Sequence, residues 1–103
     1  MTRVLLVNPY IHDFAAYDLW GFPMGLLRLG AMLQKNGIST DCLDLQYRFD
    51  PRWRDAYNDL PGKPDGTGRY VKCRIPTPAP LASIPRYFSR YGAPIEQVRK
   101  ILN

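Results

Sequence analysis

The chain has no run of apolar residues long enough to cross a bilayer. Its longest apolar window, around Leu26 to Leu33, is interrupted by Arg28 and Gly30, whereas a spanning helix needs roughly 20 such residues. Nor does a small-residue cleavage site follow the first residues, since Met1-Thr2-Arg3 leads straight into Val4-Leu5-Leu6-Val7, and a cytoplasmic protein is expected. Cysteine is scarce: Cys42 and Cys73 lie 31 positions apart, a spacing that fits neither a disulfide framework nor a metal site, so two reduced thiols are expected. Histidine occurs once, at position 12. Without a second one, no Ser/His/Asp or Cys/His set can be assigned, and a self-contained hydrolase is not expected. No G-x-G-x-x-G loop and no lysine-bearing P-loop follows the first apolar run, which excludes the usual phosphate cradles. The later Gly66-Thr67-Gly68 has no strand before it. No internal repeat is present.

What is present suits one small globular domain spanning residues 1–103. Apolar residues make up 46% and aromatic residues 13% of the chain, against 22% charged, which is an ordinary soluble balance. The net charge of +5 is unevenly spread. Residues 1–45 hold three basic and four acidic groups, whereas residues 46–103 hold eleven basic and five acidic ones. The first part reads as a βαβ core (1–45) and the second as a loop-rich basic extension (46–103).

Arg3 to Val7 forms a short, nearly continuous apolar run stopped by Asn8-Pro9. That continuity predicts an interior parallel strand covered on both faces. Pro23 is placed to open a helix, which runs to about Asn36 with Gly37 as a stop residue able to take positive φ. Leu26, Leu29 and Leu33 recur at helical spacing, and Gly25 and Gly30 are expected to let the backbone lie close to a sheet. Ile38 to Leu45 then alternates Thr40, Cys42 and Asp44 against Asp41, Leu43 and Leu45, predicting a second strand and completing a parallel crossover.

Beyond Gln46 the pattern is less regular. Asp50-Pro51 predicts a short helix to about Asn58, and Pro61 to Arg69 is turn punctuation. Tyr70 to Ile75 reads either as a third strand of the main sheet or as one arm of a hairpin. Ser83 is expected to cap a helix from about Pro85 to Gly92, and Pro94 to open another in which Ile95, Val98 and Leu102 share a side.

The connection from Asn8 to Phe22 is long for a βα loop, and it leaves the carboxyl end of the first strand, where open α/β sheets receive ligands. It carries His12, Asp13, Phe14, Tyr17, Asp18 and Trp20. Asp13 and Asp18 can accept hydrogen bonds from a ligand, His12 can donate or accept them near neutral pH, and Tyr17 and Trp20 can stack on a flat ligand. The same aromatics can equally form a small core that pins the loop. Asp44, at the end of the second strand, reads as a turn cap. Tyr47-Arg48-Phe49 to Arg54 and Pro85 to Tyr91 interleave arginine with aromatics, a composition that suits single-stranded nucleic acid or arginines lying over rings on the chain's own surface.

Three stretches carry a family resemblance: Val4 to Pro9, Asp13 to Leu45 with its Asp-Phe-Ala-Ala-Tyr-Asp and Pro-Met-Gly-Leu segments, and Gly66 to Gly92 with Pro-Arg-Tyr and Arg-Tyr-Gly. In that order they resemble the amino-terminal region of radical S-adenosylmethionine proteins that carry a cobalamin-binding domain ahead of the radical barrel. The resemblance covers nearly the whole chain. It implies an α/β fold, a partial Rossmann-like (flavodoxin-like) parallel sheet with a βαβ unit and an irregular, helix-containing C-terminal half, able to hold cobalamin at the carboxyl ends of its strands. Asn8, Pro9, Asp13, Tyr17 and Trp20 are then the expected contact residues. The family's Cys-x-x-x-Cys-x-x-Cys and Asp-x-His-x-x-Gly motifs are absent from these residues, so no iron–sulfur cluster is expected in this chain, and any radical chemistry would come from a partner barrel. The expected function is a noncatalytic module that binds a small ligand or docks on a catalytic partner. Self-association through an open sheet edge is one expected route to partners. The alternative is a protein or nucleic-acid interaction module using the basic half.

Overall fold

The computed structural model describes residues 2–18, 23–58, 60 and 68–102. The chain folds as mixed α/β. Strand β1 (Arg3–Asn8) pairs in parallel with β4 (Ser39–Asp44), in register from Arg3 opposite Ser39 to Asn8 opposite Asp44. Helix α1 (Met24–Lys35) makes the crossover between them. The predicted βαβ unit is therefore present.

The end of α1 shows why it stops where it does. Gly37 takes φ +77°, and this lets its N–H donate to the Gln34 carbonyl and the next N–H, of Ile38, to that of Leu33, both at 3.0 Å. These two bonds satisfy carbonyls that the last helical turn would leave open. Near the middle of the helix a Cβ on Gly30 would stand 3.3 Å from Leu6 Cδ1, so glycine lets the helix lie close on β1. Gly25 has no such role, because a Cβ there meets nothing within 4 Å. Gly25→Ala is accordingly expected to raise unfolding free energy by about 0.5–1 kcal/mol, read as a higher urea midpoint with unchanged slope.

The opposite face of the parallel pair carries the core. Leu43 and Leu45 pack with Trp53, Tyr57, Ala93 and Val98, and Tyr10, Val71 and Ile101 lie against them. Helix α2 (Ile95–Leu102) supplies Val98 and Ile101. Leu102 was expected beside them but is 60% exposed, because residue 101 occupies the inward position of the last turn. The core does not extend under β1. Leu5 and Val7 remain exposed, and among the described residues β1 pairs with β4 alone. The expectation of an interior strand covered on both faces is therefore corrected to that of an edge strand.

The second half is more regular than its sequence suggests. Strand β2 (Ile11–Asp13), β7 (Phe88–Tyr91) and β6 (Lys72–Ile75) form an antiparallel sheet in that spatial order with β7 central. A smaller antiparallel ladder joins β3 (Tyr17–Asp18) to β5 (Gly68–Arg69). The helix expected from Pro85 to Gly92 is thus a strand. Phe88, Ser89 and Tyr91 are all buried, and aromatic residues flanked on both sides by partners fit a pleated sheet better than a short helix. Of the run from Tyr70 to Ile75, Lys72–Ile75 forms a strand, and it pairs antiparallel with β7 and not with the parallel pair.

Between the two halves, residues 54–57 form a single 3₁₀ turn where a short helix was expected. Asp50 organises its approach: its carboxylate accepts from the Arg52 backbone N–H at 3.0 Å and from the Arg52 guanidinium at 2.9 and 2.7 Å, and its carbonyl accepts from Arg54 N–H at 2.8 Å. The guanidinium hydrogen bond holds the Asp50 carboxyl below its ordinary value, against the opposing effect of burial. A lowered folded-state pKa stabilises above the ordinary carboxylate value, about 3.9, and that contribution is lost as pH falls through the lowered one. Asp50→Ala is expected to lower stability by about 1 kcal/mol at neutral pH. The gap from the parent chain should narrow in urea titrations as the pH falls through the lowered pKa of Asp50.

Candidate functional site

The segment after β1 is the element that joins the halves. Ile11, His12 and Asp13 stand opposite Tyr91, Arg90 and Ser89, and the Tyr91 hydroxyl donates to the Phe14 carbonyl at 3.2 Å. Phe14 packs edge-on against Phe88 at 5.2 Å between ring centroids. What reads as a loop is a pair of short strands anchored on the second half. Its aromatic content is thereby explained in part: Phe14 pins the segment, over β7 and not over the first helix.

The carboxyl ends of the parallel pair are closed by their own bonds. Asn8 Nδ2 donates to Asp44 Oδ1 at 2.8 Å, and the Gln46 N–H donates to the same oxygen at 3.0 Å, so Asp44 caps the turn as expected. Gln46 Nε2 donates to the Pro9 carbonyl at 2.7 Å, and the Tyr70 hydroxyl donates to Gln46 Oε1 at 3.4 Å. This chain of contacts links the rim of the parallel strands to Tyr70, and Tyr70 forms part of a cleft.

That cleft, about 660 Å³ in volume, is bounded on one side by Phe14, Ala15, Ala16 and Tyr17 and on the other by Arg69, Tyr70, Val71 and Lys72, with Tyr91 and Arg86 between. Its volume lies in the range of small-molecule sites. Tyr70 and Tyr91 are buried and meet edge-on at 6.5 Å. Tyr17 is 60% exposed and presents its ring to whatever enters. The Arg86 guanidinium lies 5.9 Å from the Phe14 ring centre. Three cations therefore edge an aromatic-walled space, and no carboxylate is among its described lining residues.

Of the expected contact residues, Tyr17 lines the cleft. Asn8 and Pro9 serve the rim through the bonds just given. Asp13 accepts from the Phe14 N–H through Oδ1, which shapes the turn out of β2. Trp20 lies outside the described residues. His12 sits on β2 with its ring edge-on to Tyr10 at 6.3 Å. Sequence reasoning missed Arg69, Lys72 and Arg86. Only Arg86 lies in an arginine–aromatic interleaved segment, and that composition carries no information about which cations share a cavity.

Four further arginines of the basic half cover rings. Arg74 lies 3.6 Å over Tyr87, Arg48 5.1 Å over Tyr57, Arg52 5.2 Å over Trp53 and Arg90 5.3 Å over Tyr10. This is the surface-packing alternative for the interleaved segments. Cys42 and Cys73 are free and exposed, and burial pushes the Cys42 thiol up, reinforced by the nearby Asp44 charge. Among the described residues no helix is long and apolar enough to cross a membrane. No family model, curated protein or solved structure matches the chain.

Proposed function

We propose that the chain is a noncatalytic binding module, similar to the first half of the Rossmann-like cobalamin-binding domain that precedes the barrel in radical S-adenosylmethionine proteins. It receives its ligand in the cleft beside the segment that follows β1. The observation that carries this reading is the cleft itself, walled by Phe14 to Tyr17 and edged by Arg69, Lys72 and Arg86. Cobalamin fits the donor chemistry of one side of it. Its rim of carboxamides and its phosphodiester take hydrogen bonds from guanidinium, ammonium and phenol groups, and its flat macrocycle takes contact from aromatic faces. Tyr17, Arg69, Lys72 and Arg86 are the residues that would hold it. Cobalamin, when bound, supplies a cobalt centre able to carry a methyl group to a partner's chemistry.

Titration with hydroxocobalamin, followed by absorbance and heat, tests the reading. Saturable binding weakened about tenfold by Tyr17→Ala supports it, in line with one stacking contact. Absence of any signal at high micromolar ligand removes cobalamin as the ligand.

A second reading, docking on a catalytic partner or a second copy, draws on the open edge of β1. Leu5 and Val7 below that strand and Leu29 and Met32 on α1 are all at least 40% exposed, and an unpaired edge with apolar flanks is a template for strand addition. Sedimentation velocity across a concentration series tests the self-association form. A concentration-dependent dimer abolished by Val7→Lys supports it, and a monomer at all concentrations counts against it.

A further inference from the structure

We propose that the cleft selects a ligand bearing a phosphate or carboxylate next to a flat ring system. This inference rests on the binding-module reading and adds the charge and shape of what is bound. Three observations converge. The first is that Arg69, Lys72 and Arg86 arrive from three separate places in the chain, β5, β6 and the approach to β7, yet edge a single cavity.

The second is that none of the three has a carboxylate partner among the described residues. The ion pairs among the described residues join Arg3 to Asp41, Arg52 to Asp50 and Arg99 to Glu96, and none involves a cation of the cleft. Elsewhere in the basic half Arg48, Arg52, Arg74 and Arg90 lie over rings and Arg99 pairs with Glu96. Positive charges edging one cavity, with no carboxylate among its described lining residues, favour an incoming anion. The third observation is the wall. Phe14, Tyr17, Tyr70 and Tyr91 line the same space, and aromatic side chains take a flat ring by offset stacking or edge-on contact.

Charge and ring together discriminate among ligands. An anion without a ring loses the wall, and a ring without an anion leaves the cations unpaired. Arg86 is placed for both tasks, because its guanidinium already lies against Phe14 and its planar fork can bind a phosphate or carboxylate in a bidentate manner.

The experiment compares two fluorescent probes that share one ring system and differ by a phosphate, riboflavin and flavin mononucleotide, with inorganic pyrophosphate as the ringless control. In about 50 mM salt the phosphorylated flavin is expected to bind about tenfold or more tightly than riboflavin, as charge-assisted hydrogen bonds predict. This advantage should shrink at about 300 mM salt, and pyrophosphate should compete weakly. Lys72→Gln combined with Arg86→Gln, both at exposed positions, should erase the advantage, whereas Lys35→Gln on the distant helix should leave it intact. Far-UV circular dichroism verifies that each variant is folded.

Equal affinity for the two flavins, or an advantage that survives the double substitution, overturns the proposal. If hydroxocobalamin still binds in that case, the binding-module reading stands without the anion preference. If neither flavin nor hydroxocobalamin binds, both fail.

Discussion

Gly92→Ala is expected to be among the most destabilising single substitutions in the protein. Gly92 sits at φ +137°, and a Cβ there would stand 2.6 Å from the Leu45 carbonyl oxygen and 2.8 Å from Cδ1 of Tyr10. The carbonyl cannot retreat cheaply, because it accepts the Ala93 N–H at 2.7 Å, and the Gly92 N–H itself donates to Val71 at 2.9 Å. The first of these bonds ties the end of the parallel pair to the residues after β7, and the second holds those residues beside β6, so a shift that makes room for a methyl group strains the junction of the halves. Backbone strain of about 1–3 kcal/mol and overpacking of a similar size together approach the whole stability of a small domain, roughly 5–15 kcal/mol. Urea unfolding followed by far-UV circular dichroism should show a loss of about 3–5 kcal/mol, or no folded baseline at all. A loss below about 1 kcal/mol would mean that residue 92 is not the junction described above.

The second large effect is expected from Trp53→Ala. Trp53 is 2% exposed, as is Leu43 beside it. Its indole N–H donates to the Tyr47 carbonyl at 2.8 Å, and Arg52 covers its ring. Truncation leaves a cavity under the parallel pair and strands the Tyr47 carbonyl, for a combined loss of about 3–5 kcal/mol. The effect is large because the core is thin. The radius of gyration is 15.6 Å, against about 13 Å for a compact domain of this length, and no residue of α1 is fully buried. Few side chains share the work of Trp53. Unfolding monitored by circular dichroism gives the magnitude, and a Trp53→Phe variant that recovers more than half of the loss would assign it to packing volume.

Much of the first half was legible in the sequence because its signals are local. Three features fixed the βαβ unit within one or two residues of its observed limits: the apolar run at Arg3 to Val7, the leucine spacing of α1 and the glycine at position 37. The alternation of residues 40–45 correctly put Leu43 and Leu45 on one face. What the sequence concealed is non-local. Strands of three and two residues, such as β2 and β3, are too short to show a period of two. The pairing of β2 with β7 spans nearly the whole chain, and no local pattern announces it. Phe88 to Tyr91 was mistaken for a helix because Ser83, Pro85 and Gly92 imitate helix punctuation, whereas its real determinants are two flanking strands.

The site was legible to a similar degree. Tyr17 stood out because an aromatic in a long connection beyond the first strand needs a reason to be there. Asn8, Pro9 and Asp13 looked equally suited, yet their hydrogen-bonding capacity goes to the chain itself, at the rim and in the turn after β2. The cations of the cleft were unreadable for a different reason. Lys72 alternates with Val71 and Cys73 as a solvent-facing strand residue does, and it faces a cavity only because the segment after β1 folds across to make the opposite wall.

On the proposed function, this folding-across creates the ligand site. The most direct measurement is a backbone amide chemical-shift map of the uniformly labelled protein during titration with hydroxocobalamin and, separately, with flavin mononucleotide. The largest saturable shifts should fall on Ala15 to Tyr17, Arg69 to Lys72 and Arg86, with α1 nearly silent. Shifts confined to α1 or to the β1 edge, or none with either ligand at high micromolar concentration, would contradict it.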